Sequence, residues 1–136
     1  MMDVRVLIVD DCPVMRKIIK RTVELCGFDS VEVIEAGDGK EGLEWVRNMD
    51  FDLAIVDLNM PVKNGAEMIA EMRVDDNLRY VPVLTVSAES NETRVEIITD
   101  ITEGFVHKPF CVEALRDKML KILEKQSIIR PGAAPK

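Results

Sequence analysis

The stretch Leu53–Asp57 (LAIVD) carries the pattern that decides the fold: four apolar residues followed at once by a carboxylate. The segment Val4–Val9 (VRVLIV) has a similar pattern, and Asp10 and Asp11 follow it directly. Short, nearly continuous apolar runs are typical of strands that are buried on both faces, as in a parallel sheet covered by helices. We therefore predict that both segments are strands of such a sheet.

Strand-like and helix-like segments alternate along the rest of the chain. Three further strands are predicted at Val31–Glu35, Val81–Val86 and Gly104–His107. Helices are predicted from Pro13 to the residue before Gly27, at Lys40–Asn48, around Met68–Met72, at Asn91–Thr99 and at Val112–Lys125. Apolar residues recur at helical spacing on predicted core faces, which include Met15, Ile18, Ile19, Val23 and Cys26 in the first helix and Val95 and Ile98 in the fourth. Five strands separated by five helices predict an α/β fold, a doubly wound parallel sheet with helices on both faces.

Length and composition limit the classes of protein. The 136 residues are 47% hydrophobic and 32% charged, which suits one globular domain. We expect this domain to cover residues 1–126, followed by a flexible tail at 127–136. No apolar run approaches the roughly 20 residues that cross a bilayer, and the first residues lack a signal-peptide layout. We therefore expect a cytoplasmic protein without membrane insertion.

Charge and cysteine content argue against three further classes. With 18 basic and 25 acidic residues, the formal net charge is −7, which argues against direct nucleic-acid binding through clustered Lys and Arg. The three cysteines are far apart in the sequence and fit neither a disulfide framework nor a zinc site. We expect them to be reduced thiols.

Polar side chains that can bind ligands or react follow four of the predicted strands. They are Asp10 and Asp11 after the first strand, Asp57 after the third, Ser87 after the fourth and Lys108 after the fifth. The carboxyl ends of parallel strands share one edge of the sheet, where open α/β folds bind their ligands. Three carboxylates brought together repel one another and favour a bound cation. Oxygen ligands with room for water suit Mg²⁺.

This constellation suits phosphoryl transfer. A carboxylate such as Asp57, beside a metal and the Lys108 ammonium, is a plausible nucleophile toward phosphorus. The metal and Lys108 neutralise charge on the phosphoryl oxygens, and Ser87 can donate a hydrogen bond to the product. The other interpretation is that single aspartates are helix caps or loop residues. That interpretation explains one carboxylate more easily than three together with a lysine.

The chain resembles the response-regulator receiver domains of the CheY-like type. Four stretches carry the resemblance: Leu7–Asp11 (LIVDD), Asp57–Pro61 (DLNMP), Thr85–Glu89 (TVSAE) and Phe105–Phe110 (FVHKPF). It extends over about residues 3–125. The resemblance implies a flavodoxin-like sheet with strand order 2-1-3-4-5.

The resemblance also implies metal and phosphoryl ligands. Asp57 is expected to be the phosphoacceptor and, with Asp11, a direct ligand of Mg²⁺. Asp10 is expected to act through water and Asn59 through its backbone carbonyl. Lys108 is expected to bind the phosphoryl group and to precede a cis peptide bond at Pro109.

The remaining expectations from the resemblance concern signalling. A sensor histidine kinase, or a small donor such as acetyl phosphate, supplies the phosphoryl group. Ser87 and Phe105 then act as switch residues that change the surface of the fourth helix, fifth strand and fifth helix, where a protein target binds. Asn59 and Glu89 tune self-dephosphorylation, which we expect to be rapid. A monomer or weak dimer is expected, and a stand-alone chemotaxis-type regulator is one possibility.

Three alternatives remain open from the sequence. The chain could be a receiver fragment of a longer regulator with a DNA-binding or enzymatic output domain. A small aspartyl-phosphate phosphatase of the haloacid-dehalogenase type would need an Asp-x-Asp spacing, whereas Asp10 and Asp11 are adjacent. A flavodoxin-like cofactor binder would need a Ser/Thr/Gly-rich loop after the first strand, where Asp11–Met15 (DCPVM) stands instead.

Overall fold

The computed structural model describes residues 3–129, and strands and helices alternate along them. The strands are β1 (Asp3–Val9), β2 (Ser30–Ala36), β3 (Leu53–Val56), β4 (Val83–Ser87) and β5 (Gly104–His107). The helices are α1 (Pro13–Glu24), α2 (Gly39–Asn48), α3 (Gly65–Val74), α4 (Glu92–Ile101) and α5 (Val112–Ile129). The predicted α/β class with five strands and five helices is confirmed.

All strand pairs in the sheet are parallel, and the strand order is β2-β1-β3-β4-β5. This confirms the expected order 2-1-3-4-5. Val56 of β3 pairs with Val9 of β1 on one side and with Thr85 of β4 on the other. The carboxyl ends of these three strands are therefore nearly level, and the residues that follow them meet at one edge of the sheet.

Each face of the sheet is covered by its own apolar layer. One layer packs α1 and α5 against the sheet, and the other packs α2, α3 and α4 against the opposite face. The first layer includes Ile19, Val23, Leu115, Met119, Ile122 and Leu123, and the second includes Leu43, Val46, Met68, Ile69, Met72 and Ile98. The site at the sheet edge therefore stands on strands that are fixed by packing on both sides.

Two residues that were predicted to be in the core lie at the margin of the buried face of their helix. Ile18 is 41% exposed, and Val95 of α4 is only half-buried. On α1 the buried position is taken by Thr22, whose hydroxyl donates to the Ile18 carbonyl at 2.9 Å. Helical spacing gives the direction of a face but not its width, and a hydroxyl that bonds its own helix can be buried at small cost.

Element ends differ from the predicted ends where local chemistry decides them. β4 begins at Val83 and not at Val81, because Pro82 has no N–H and the Val81 N–H donates to the Leu78 carbonyl in a turn. Helix α5 continues to Ile129, four residues beyond its predicted end. The division into a domain at 1–126 and a tail at 127–136 stays a prediction, and residues 130–136 lie outside the described part of the chain.

Candidate functional site

Three carboxylates meet where β1 and β3 end. Asp10 and Asp11 follow Val9, Asp57 follows Val56, and one oxygen from each of the three lies within 4.8 Å of the others. Asp10 is 1% exposed and Asp57 is 7% exposed, whereas Asp11 is open to solvent. The predicted convergence of these aspartates is present in the structure.

Lys108 bridges two of these carboxylates. Its Nζ donates to Asp10 Oδ2 at 2.8 Å and to Asp57 Oδ2 at 3.1 Å. The Lys108 N–H also donates to the Ser87 carbonyl at 2.9 Å, which aligns the end of β5 with the end of β4. The peptide bond between Lys108 and Pro109 is cis, as expected.

The ammonium of Lys108 is stabilised in its charged form. Burial alone lowers the pKa of Lys108, but the hydrogen bonds and negative charges of Asp10 and Asp57 outweigh burial, so the pKa is raised. One full positive charge is therefore fixed among three carboxylates at neutral pH.

The loop after β3 holds Asp57 by close backbone packing. A Cβ on Gly65 would lie 1.9 Å from the Asp57 carbonyl oxygen, so only glycine fits there. The Gly65 N–H donates to the Leu58 carbonyl at 2.9 Å. Asn64 then starts α3 with a capping box, in which its side chain and that of Glu67 each accept from the other's backbone N–H. This loop fixes the backbone at the candidate nucleophile and at the residue that follows it.

The candidate switch residues lie on neighbouring strands. Ser87 is fully buried, and its hydroxyl accepts a hydrogen bond from the Glu89 N–H at 3.2 Å. Phe105 is half-buried against the layer of α2, α3 and α4, and its ring centroid lies 4.6 Å from that of His107. Thr85 pairs with Phe105, and Ser87 pairs with His107. The two candidate switch residues are thus offset by one side-chain repeat on one face of adjacent strands.

Asn59 and Glu89 occupy different surroundings. Asn59 is exposed beside the cluster, and its N–H donates to Asp57 Oδ1 at 3.3 Å. Glu89 faces the start of α4, where its carboxylate accepts from the Asn91 N–H at 3.1 Å and pairs with Arg94 at 2.8 Å. To tune self-dephosphorylation, the Glu89 carboxylate therefore has to leave its contacts with α4.

Two polar groups near the site, on Arg16 and Thr85, were not predicted from the sequence. Arg16 donates to the backbone carbonyl of Asp10 at 2.6 Å, and nothing in the sequence distinguishes it from Lys17 or Lys20. Thr85 carries a buried hydroxyl that has no hydrogen-bond partner within residues 3–129. A polar residue in an otherwise apolar strand was the available signal for Thr85.

The connection into β5 is fixed by an ion pair. Arg73 of α3 donates to Glu103 Oε1 at 2.9 Å and to the Ile101 carbonyl at 2.6 Å. The same Glu103 oxygen accepts from the Val83 N–H at 2.6 Å. These bonds join the end of α4 to the start of β4.

The donor set fits a hard divalent cation. The acidic groups that converge supply carboxylate oxygens, which Mg²⁺ prefers, and the exposed Asp11 leaves one side open for water ligands. The carboxylates of Asp10 and Asp57 also retain lone pairs beyond those used by Lys108, Cys12 and Asn59.

Comparison with known proteins gives one family. The family model of the response regulator receiver domain matches residues 6–120. The chain belongs to this family. The receiver is 35% identical over 124 residues to chemotaxis protein CheY-3 of Vibrio cholerae, covering 90% of this chain and 94% of that protein. It is 36% identical over 122 residues to chemotaxis protein CheY of Pseudomonas aeruginosa, covering 89% and 97%.

Solved structures agree with the sequence comparison. The receiver superposes on the chemotaxis response regulator CheY4 of V. cholerae with a TM-score of 0.78 at 30% identity, covering 90% of this chain and all of that one. CheY-like receivers are signalling proteins of two-component systems, not classical enzymes, and they interact with sensor kinases. Receiver domains generally bind Mg²⁺ at an acidic pocket, which corresponds here to Asp10, Asp11 and Asp57. Across residues 3–129, none of the helices combines the length and apolarity that a membrane span requires.

Proposed function

We propose that this receiver accepts a phosphoryl group on Asp57 from the phosphohistidine of a sensor histidine kinase, in a reaction that depends on Mg²⁺. The observation that carries the proposal is the position of Lys108 Nζ between Asp10 and Asp57, beside Asp11. Lys108 comes from a third segment of the chain and fixes a positive charge 3.1 Å from the proposed nucleophile, and a phosphoryl-transfer site needs such a charge.

The chemistry is a displacement at phosphorus. An Asp57 carboxylate oxygen attacks the phosphorus atom, the bond from phosphorus to the imidazole nitrogen breaks, and the imidazole leaves with the electron pair. The Lys108 ammonium binds a phosphoryl oxygen during transfer. Asp10, Asp11, Asp57 and the Asn59 carbonyl are the proposed ligands of Mg²⁺, which supplies further neutralisation of phosphoryl charge when bound.

The response to phosphorylation is proposed to run through Ser87 and Phe105. The phosphoryl group attracts the Ser87 hydroxyl, which leaves its contact with the Glu89 N–H. Phe105 then turns away from His107 toward the space beside Ser87. Because these residues adjoin α4 and β5, the surface of α4, β5 and α5 changes and a protein target binds the new form. The two forms differ in their affinity for phosphate and target, as a population shift requires.

The partners follow from the relatives. The chain is 35% identical to CheY-3 of V. cholerae and 36% identical to CheY of P. aeruginosa, which supports a chemotaxis-type regulator. We propose no direct nucleic-acid contact and a monomer or weak dimer in the cytoplasm. Asn59 and Glu89 are proposed to promote rapid self-dephosphorylation.

The test is an intact mass measurement after incubation with acetyl phosphate and Mg²⁺. Wild type is expected to gain the mass of one phosphoryl group, and Asp57→Asn to gain none. Asp76→Asn, which changes an exposed aspartate in the α3–β4 connection, is the matched control and is expected to behave as wild type. A phosphorylated Asp57→Asn variant would refute the assignment.

A further inference from the structure

Every polar group of Asp10 has a partner. Its N–H donates to the Ala36 carbonyl at 3.1 Å, and its own carbonyl accepts from Arg16 Nη1 at 2.6 Å. Oδ1 accepts from the Cys12 N–H at 2.9 Å, and Oδ2 accepts from Lys108. With all four groups bonded in a buried position, the carboxylate cannot rotate without losing a hydrogen bond.

Arg16 connects three elements around Asp10. It lies in the first turns of α1, and its Nε donates to Glu35 Oε1 of β2 at 3.0 Å while Nη1 binds the Asp10 carbonyl at the end of β1. Glu35 pairs in register with Ile8 of β1. A guanidinium can make both bonds at once because its donors form a rigid planar fork, which a lysine ammonium cannot reproduce.

We propose that Arg16, oriented by Glu35, is a positioning residue that sets the direction of the Asp10 carboxylate toward the metal. The inference rests on the proposed function, since it assumes that the aspartate cluster binds Mg²⁺. Groups that orient metal ligands through hydrogen bonds typically change metal affinity by about ten- to a hundredfold when they are removed. Arg16 acts on the backbone of Asp10 and not on its carboxylate, so we expect an effect near the lower limit.

The charge of Arg16 opposes this effect. A cation beside a metal site repels the metal, so loss of Arg16 could in principle strengthen binding. Glu35 pairs with the guanidinium at 3.0 Å, however, and the pair as a whole carries no net charge. The intact pair therefore exerts little net field on the metal, whereas removing Arg16 alone leaves the Glu35 charge to attract it. Removing only the charge of Glu35 leaves the repulsion uncompensated.

A simpler role for Arg16 is to satisfy a buried carbonyl. In that case its loss lowers stability and leaves metal affinity unchanged in the folded protein. A measurement of Mg²⁺ affinity distinguishes the two roles. The thermal transition of each variant verifies that it is folded.

The experiment is calorimetric titration of the full chain with Mg²⁺. The double variant Arg16→Gln/Glu35→Gln, which removes both charges, is expected to weaken Mg²⁺ binding about tenfold, and Arg16→Lys, which keeps the positive charge, is expected to weaken it by less. Glu35→Gln, which keeps an acceptor for Arg16, is expected to weaken binding in a manner that added salt relieves. Arg21→Gln removes an exposed arginine of the same helix and is expected to bind as wild type. Amide NMR resonances of Asp10 and Cys12 are expected to shift in Arg16→Gln before any metal is added.

Two results separate the inference from the function on which it rests. If wild type binds Mg²⁺ but folded Arg16→Gln/Glu35→Gln and Arg16→Lys bind it as tightly as wild type does, the positioning role is refuted and the proposed function stands. If the double variant fails to fold, Arg16→Lys carries the same comparison. If wild type binds no Mg²⁺, the metal-dependent function fails and the positioning role fails with it.

Discussion

Lys108 Nζ lies 3.1 Å from Asp57 Oδ2, and 51 residues separate the two along the chain. The contact exists because β3 and β5 end at the same edge of one sheet, with β4 between them. The same ammonium donates to Asp10 Oδ2 at 2.8 Å, so the lysine that follows β5 contacts two of the three clustered aspartates. Its removal has consequences that differ with and without a divalent cation.

Replacing Lys108 by methionine is expected to make stability depend on Mg²⁺. Without metal, Asp10 and Asp57 lose their buried counter-charge, which costs about 3 kcal/mol of unfolding free energy. Mg²⁺ can restore that neutralisation, and it binds without competition from the ammonium. The rise in Tm on adding Mg²⁺ should therefore be larger in Lys108→Met than in wild type. Lys17→Met, at an exposed lysine of α1, is the control. An equal rise in wild type and Lys108→Met would count against the electrostatic account.

Adding a methyl group at Gly65 is expected to disturb the candidate nucleophile directly. The new Cβ would meet the Asp57 carbonyl at 1.9 Å, so the β3–α3 loop must move. We expect Gly65→Ala to lose about 3 kcal/mol of stability and to lower the rate of phosphorylation by acetyl phosphate. Gly37→Ala, whose Cβ would have its nearest neighbour at 3.9 Å, is the matched control. Wild-type phosphorylation by Gly65→Ala would show that the loop does not need this close packing.

Val62 stores backbone strain in the same loop. Its φ is 65°, a conformation that β-branched residues rarely adopt, and its side chain is 78% exposed. Replacing it by asparagine relieves the strain without losing buried apolar surface. We expect Val62→Asn to gain about 1 kcal/mol in urea unfolding. Val74→Asn, at an equally exposed valine in helical conformation, should give no gain. A loss of stability in Val62→Asn would mean that the valine side chain stabilises the fold despite its exposure.

The three cysteines are expected to differ in reactivity. Burial raises the pKa of the Cys26 thiol, although the charge of Arg116 partly opposes this, and the thiol donates to the Thr22 carbonyl at 3.2 Å. Cys12 and Cys111 are exposed. A thiol reagent at neutral pH should modify Cys12 and Cys111 quickly and Cys26 only slowly, as followed by peptide mass. All three should react at similar rates in denaturant. Fast native modification of Cys26 would contradict its assignment to the core.

The elements that the sequence predicted best are those whose signal is local. Apolar runs ending in Asp10 and Asp57 gave β1 and β3, and the shared edge of a parallel sheet then brought the aspartates and Lys108 together. The strand order itself came from the resemblance to the family. Many doubly wound orders satisfy the same alternation, and only long-range packing selects one of them.

What the sequence did not show depends on contacts between distant segments. Arg16 becomes part of the site only because α1 lies beside the end of β2, where Glu35 stands. Ile18 is exposed in a groove that it lines together with Val112 of α5. The left-handed backbone at Val62 is unexpected because its residue type disfavours it, and the close packing of Gly65 on Asp57 imposes a tight path on the same loop.

The account depends most directly on the identity of the phosphorylated residue. Treating the phosphorylated protein with borohydride reduces an aspartyl phosphate to homoserine, which peptide mass mapping then locates. We predict homoserine at position 57 when the phosphorylation was carried out with Mg²⁺, and none when the metal was chelated. Homoserine at another aspartate, or equal labelling of Asp57 in the presence of chelator, would contradict the proposal that these converging groups form a metal-dependent phosphoacceptor site.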